Sequence, residues 1–440
     1  MNEFEYYKYV IDKLESNFRF SRYVVGAGKE LIKRGWNPNG LLVSVEPKNN
    51  IRNLACNYCL QTHIPIVGIN SEYILAPIDF EISLTDQNYK LYESKQAQTY
   101  YFKAMVTPLL NYLEEFFISR KIPFLLDLTP SGGHILFWVK KGTNAWESFK
   151  KIGYLEPDLM KAYEYKDPND IKRITGVSEE AGLVFSGIGR ISEYIGLKSK
   201  VDLNGKTEYP ISFCDSLMQS LNFDISWASD AAYMRSIRSP FSLHKKNREK
   251  YYNLKQSSLV DVIRIEFDGK KILPSAGFMD IDYQLDCMWD LWMAAKHSKT
   301  VSGLIPVADD SVCGLIDEYM NSDLYAYHRK FDYEPILPKG KAMELIKSNH
   351  KLNQHARYML DFPEPYMLQP MQLNIFIREL VSNHNYSPKT VGCLIRDYYQ
   401  DSRWKWYGTD WYKYPSETRA FFWTRLYSDE LFTDNKIINL

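Results

Sequence analysis

Residues 122–139 read IPFLLDLTPSGGHILFWV. Two apolar runs flank a Thr-Pro-Ser-Gly-Gly segment, and a histidine stands at the mouth of the second run. Apolar runs of strand length bounded by Pro, Ser and Gly predict a hairpin, with IPFLLDL and HILFWVKK as strands and TPSGG as the connection. Gly132 and Gly133 tolerate backbone conformations that bulkier residues resist, and they allow a ligand to approach the main chain. Successive amides in such a turn can form an anion-binding nest. His134 would then donate to a phosphate oxygen, although a glycine hairpin followed by a satisfied histidine fits the same letters.

Working outward, the neighbouring segments predict a small sheet with helices on it. Residues 1–35 and 90–121 carry apolar positions at helical spacing, whereas LLVSVEP (41–47) and YILAPIDFEISL (73–84) read as strands. Residues 140–220 form a long, mostly helical insertion that includes a helix around GIGRISEYIGLKSK. A further strand pair is expected around 223–227 and 259–267. Beyond about residue 275 the chain turns to helical segments rich in Trp, Tyr and Met. The expected class is α+β, with residues 1–270 as one domain and 271–440 as a mostly helical second one.

Composition bounds the reading without choosing a function. The chain has 440 residues, 45% hydrophobic and 25% charged, with a formal net charge of zero. A polyanionic partner would therefore have to be served by local patches. No apolar run approaches the ~20 residues needed to cross a bilayer. The amphipathic N-terminus lacks the apolar core of a signal peptide, and six cysteines are too few for a disulfide framework. These features predict a cytoplasmic or nucleoid-associated protein with no membrane partner.

Three constellations carry chemistry. In IDFEI (78–82), alternate side chains of a strand share a face, so Asp79 and Glu81 point one way while Ile78, Phe80 and Ile82 pack on the other. Paired carboxylates suit a hard cation such as Mg²⁺ or Mn²⁺, though Asp-x-Glu alone also describes a solvent-facing stripe. The second is the Ser131-Gly-Gly133-His134 turn. The third runs from Phe223-Asp224 into RSPFSLHK, Arg238 to Lys245; between Arg235 and Lys255 seven Lys or Arg residues stand against one acid, Glu249. Arg and Lys beside Ser and His donors form a phosphate grip, whereas a plain charged face would be solvated.

The order of these motifs resembles the archaeo-eukaryotic primase superfamily, in particular the primase-polymerases of plasmids and mobile elements. That family shows an acid-x-acid strand, a Ser-x-His type motif, a hydrophobic-Asp motif and often Arg-x-Pro-x-Ser-Leu-His-x-Lys. Here Arg238-Ser-Pro240-Phe-Ser242-Leu-His244-Lys245 follows the last almost position for position, and the resemblance spans roughly residues 40–270. It implies an RRM-like catalytic core with a helical accessory domain. The implied activity is primer synthesis or DNA extension from NTPs or dNTPs on single-stranded DNA. On that resemblance Asp79, Glu81 and Asp224 hold two Mg²⁺ or Mn²⁺ ions. Ser131, Gly133, His134, Arg238, Ser242, His244 and Lys245 face the nucleotide. Glu81 departs from the Asp common at its position, as in plasmid-type members. A silent replication initiator of the same fold and a metal-dependent nuclease are the alternatives.

Other signals are secondary. No Gly-x-x-x-x-Gly-Lys-Ser/Thr occurs, so any helicase would be a separate chain. Cys56, Cys59 and His63 have zinc-like spacing but supply three ligands where structural zinc takes four. The stretch 387–415 mixes Trp, Tyr, Lys and Arg, which suits either single-strand stacking or a helical core.

Overall fold

A computed structural model describes residues 1–17, 23–27, 41–44, 61–68, 71–84, 94–164, 177–214, 219–232, 235–244, 259–273, 280–349, 352–362, 364–401, 415–438 and 440. The architecture is α+β, with mixed sheets and surrounding helices.

Twelve strands are present among the described residues: β1 Tyr23–Ala27, β2 Leu41–Ser44, β3 Gln61–Pro65, β4 Tyr73–Ser83, β5 Phe124–Thr129, β6 Gly132–Lys140, β7 Ile211–Phe213, β8 Ser220–Phe223, β9 Ser236–Arg238, β10 Leu243–His244, β11 Leu259–Val260 and β12 Val262–Phe267. Six of them form the main sheet in the order β12-β5-β6-β4-β8-β7. A second sheet has the order β2-β1-β3-β9, and β10 pairs with β11.

The predicted hairpin is present, with Pro130 and Ser131 as its two-residue connection. Its glycines do a different job from the one expected. Neither takes a positive φ; both lie in β6, where a Cβ on Gly132 would stand 1.9 Å from the Phe80 carbonyl oxygen and one on Gly133 2.7 Å from that of Asp127. The space left by the missing side chains is filled by neighbouring backbone, so three strands can approach closely at this point.

β4 is the long central strand. Its burial alternates from Ile78 onward, with Ile78, Phe80 and Ile82 buried and Asp79, Glu81 and Ser83 partly exposed. Pro77 is tolerated because β8 pairs only with Phe80–Ser83. Beside Pro77 the helix Glu179–Asp202 takes over, and Ser192 Oγ donates to the Pro77 carbonyl at 3.4 Å. The expected pairing of 223–227 with 259–267 does not occur. β8 and β12 lie in one sheet separated by β5, β6 and β4, and residues 226–229 form a 3₁₀ turn. Both segments are apolar enough to be central strands, and letters alone do not specify partners.

The helices after residue 280 pack back onto this frame. Trp138 N, in β6, donates to the Pro306 carbonyl at 2.8 Å, and Lys13 Nζ reaches the Val301 carbonyl at 2.6 Å. The helix Ser416–Asp434 contacts the helix Glu179–Asp202, and Arg425 pairs with Glu193 at 3.0 Å. No described helix is long and apolar enough to cross a membrane.

Candidate metal and anion site

One transverse row of the main sheet collects the chemistry. In register, Asp127 of β5 opposes His134 of β6, and His134 opposes Asp79 of β4. Directly opposed residues share a face, so the three side chains are neighbours. On the far side of β4, Asp224 N donates to the Asp79 carbonyl at 2.9 Å, which places Asp224 next in the row. Asp261, just before β12, closes the other end: ligand-type atoms of Asp127, His134 and Asp261 all lie within 4.8 Å of one another.

His134 is held between carboxylates through both ring nitrogens. Nδ1 lies 3.2 Å from Asp127 Oδ1 and Nε2 3.6 Å from Asp79 Oδ1. Burial disfavours the charged ring, but Asp127 and Asp79 outweigh it and push His134 up to about 9. The charged form of the ring is therefore favoured, flanked by a carboxylate on each side. Asp79 is raised to about 6, chiefly by burial, with His134 and Arg238 opposing and Asp224 and Asp127 adding to the rise. Its side chain is 21% exposed against 0% for Asp127, so the row opens to solvent at its Asp79 end.

The second sheet covers the other end. Arg238 of β9 donates from Nε to Asp261, and His63 of β3 stands opposite Arg238 in register. Burial, then Arg238 and His134, lower His63 to about 3, so it is neutral. Burial raises Asp261 to about 7 against the pull of Arg238.

Four aspartates, Asp79, Asp224, Asp127 and Asp261, and the cations His134 and Arg238 lie along the row, with burial raising Asp79 and Asp261. The donors at the open end, Asp79 and Asp224 with Glu81 two residues along β4, are the oxygen ligands that Mg²⁺ and Mn²⁺ prefer. Asp224 Oδ1 accepts from Ser226 N at 3.0 Å.

The remaining expected residues divide. Ser131 sits in the hairpin connection, its carbonyl accepting from Ile82 N at 2.7 Å. Gly133 lies one position beside the row, opposite Phe80 and Leu128. Ser242 is buried, its hydroxyl accepting from Thr62 N at 2.8 Å and donating to the Leu243 carbonyl, which ties β3 to β10. His244 is buried in β10. Lys245, Cys56 and Cys59 lie outside the described residues. Asp127 and Asp261 were not anticipated; their signal is a single acid inside each of the apolar runs FLLDL and LVDVI.

A second buried cluster, Glu193, His328 and Asp429, has similar composition. Arg190 pairs with Asp332 and Arg425 with Glu193, and burial, then Glu193, raises Asp429 well above the carboxylate range. His328 Nε2 lies 2.8 Å from Asp429 Oδ2, while Glu193 Oε1 and Asp429 Oδ1 are buried without a hydrogen-bond partner.

No protein-family model matches the chain, and no solved structure matches it. Among curated proteins it is similar to a probable mitochondrial import inner membrane translocase subunit, tin-44, of Caenorhabditis elegans. The two are 23% identical over 158 residues, 33% of this chain. The match spans 36% of that relative's length. This corrects the expected function. The relative is named for protein import, not for replication, so primer synthesis, together with the replication-initiator and nuclease alternatives, is set aside.

Proposed function

We propose that the open end of the row is a divalent-cation-dependent nucleotidyl-transfer centre acting on a nucleoside triphosphate. The observation that carries the reading is the placement of Asp79 and Asp224 side by side across β4 and β8, next to the His134 imidazolium. The motif order supports it, and on this reading the six-stranded sheet is the RRM-like core that the motif order implies.

Asp79, Glu81 and Asp224 would hold the cations, and Mg²⁺ or Mn²⁺ there would supply charge neutralisation for an attacking hydroxyl and a departing pyrophosphate. His134 supplies a fixed positive charge beside the carboxylates, already oriented by Asp127, so little reorganisation accompanies charge development on the phosphates. Asp127 and Asp261 lock His134 and Arg238 in place from the buried side. In the reaction the acceptor hydroxyl oxygen bonds to the α-phosphorus, the bond to the β-phosphate oxygen breaks, and the hydroxyl proton leaves to water. The test is cation-dependent pyrophosphate release, which Asp79→Asn should abolish without unfolding the protein.

A second reading follows from the curated match: a role in contact with proteins in transit across a membrane, as the relative's name indicates for that protein. On this reading Asp79→Asn would leave association with translocase components unchanged, and no pyrophosphate would be released by either form.

A further inference from the structure

Three helices from distant parts of the chain each bring a polar pair to one buried point. The helix Glu179–Asp202 carries Arg190 and Glu193, the helix Asp323–Tyr333 carries His328 and Asp332, and the helix Ser416–Asp434 carries Arg425 and Asp429. Spacings of three and four residues put both members of each pair on one helix face. Glu193, His328 and Asp429 are each 0% exposed.

The contacts leave a gap of one kind. Arg190 Nη2 donates to Asp332 Oδ1 at 2.8 Å, and Arg425 Nη2 donates to Glu193 Oε2 at 3.0 Å. His328 Nε2 lies 2.8 Å from Asp429 Oδ2 and 3.8 Å from Glu193 Oε1. Glu193 Oε1 and Asp429 Oδ1 are buried with no hydrogen-bond partner. A buried polar atom left in this way costs about 1–3 kcal/mol, and here two of them meet beside one imidazole nitrogen.

The geometry suits a metal ion. Ligand-type atoms of Glu193, His328 and Asp429 all lie within 4.8 Å of one another. Bonds of about 2.1 Å to a tetrahedral ion set its ligands about 3.4 Å apart, which falls between the two separations at His328 Nε2. On the other side of the ring, Nδ1 is 2.6 Å from Tyr319 Oη. A metal-bound histidine gives its second N–H to such a partner, which fixes its tautomer and orientation. Arg190 and Arg425 also line a cavity of about 40 Å³, room for a water molecule beside the cluster.

We propose that Glu193, His328 and Asp429 form a binding site for a divalent transition-metal ion, Zn²⁺ being the fitting case. One imidazole nitrogen with two carboxylate oxygens is a donor set for such ions, whereas Mg²⁺ takes oxygen ligands alone. The ion ties the helix Glu179–Asp202 to two helices that follow more than a hundred residues later. Arg425 orients Glu193 through Oε2 and leaves Oε1 for the metal. Binding releases to solvent any proton held between His328 and the two carboxylates, and Nδ1–H is donated to Tyr319. The site stands apart from the row at Asp79 and needs no nucleotide.

The experiment is a Zn²⁺ titration of the full chain after treatment with EDTA and its removal, read by calorimetry and by metal content after dialysis. Every protein carries Asp79→Asn, so that binding at the row is not counted. Adding Asp429→Asn should remove one bound Zn²⁺ per chain, and adding Tyr319→Phe should weaken binding about tenfold. Asp429→Asn keeps the shape of the side chain, and circular dichroism of the metal-free protein checks that it folds. Should it fail to fold, Tyr319→Phe, which keeps all three ligands, carries the test, and an unchanged affinity there would overturn the site. Equal Zn²⁺ uptake in folded Asp429→Asn, or no uptake in its Asp79→Asn parent, would likewise overturn it. Nucleotide turnover does not enter the score, so the nucleotidyl-transfer reading stands or falls separately.

Discussion

His134 bridges Asp127 and Asp79 across three adjacent strands, with Nδ1 3.2 Å from one carboxylate and Nε2 3.6 Å from the other. A ring held this way is charged in the folded protein and returns to its ordinary value near 6.5 on unfolding.

The pH dependence follows in sign. His134 is raised to about 9 in the fold, so its stabilising contribution is complete below pH ~6.5 and is lost as pH rises through about 9. Urea unfolding should show a stability gap between wild type and His134→Gln that shrinks by on the order of 3 kcal/mol between pH 6 and 9.5. A gap that stays constant over this range would mean that the ring is neutral in the fold.

Cation binding should depend on pH through Asp79. This carboxyl is raised to about 6 and must be ionised to bind a cation, so affinity for Mn²⁺ should fall as pH drops through about 6. At pH 7.5, Mn²⁺ at a hundred times its dissociation constant should stabilise wild type by about 2.7 kcal/mol in thermal or urea unfolding. Asp79→Asn should lose most of that increment while remaining folded, since it removes a carboxylate whose charge burial disfavours.

The glycines provide a steric test. Gly132→Ala places a methyl 1.9 Å from the Phe80 carbonyl oxygen, backbone that cannot move without opening the sheet. The expected loss is ~2–4 kcal/mol, with loss of cation binding because the row is distorted. Gly314→Ala is the control: it lies in the helix Cys313–Met320 with nothing within 4 Å of the added carbon. It should be neutral or stabilising by ~0.5–1 kcal/mol.

The buried network of Asp429 predicts opposite outcomes for two removals. Burial, then Glu193, raises Asp429 well above the carboxylate range, so Asp429→Asn, which mimics the neutral acid, should cost less than ~1 kcal/mol. Arg425→Met leaves Glu193 without its guanidinium partner and should cost ~3–5 kcal/mol. Urea midpoints at pH 7 for the two variants decide the matter.

Much of the row was legible in the letters because a strand has a period of two. IDFEI announced its polar face directly, and TPSGG announced the hairpin that sets β6, with His134, against β5. Asp127 and Asp261 were not legible. An acid in an apolar run looks like a defect until the register shows its partner, and register is a property of the assembled sheet. For the same reason the expected partner of β12 was misplaced: the strand expected at 223–227 lies at Ser220–Phe223 and pairs with β4 and β7. Gly132 and Gly133 were marked as places of close approach, and the backbone of β4 and β5 approaches them there. His328 was invisible because it lies 101 residues from Asp429, which it meets only in the folded chain.

The central claim is best tested by pyrophosphate release from nucleoside triphosphates in Mn²⁺, with a hydroxyl-bearing acceptor mixture, for wild type and Asp79→Asn side by side. The account predicts release by wild type that stops on chelation and is reduced at least a hundredfold in folded Asp79→Asn, an effect of about 2.7 kcal/mol or more on the barrier. No release by wild type, or equal release by both proteins, would contradict it.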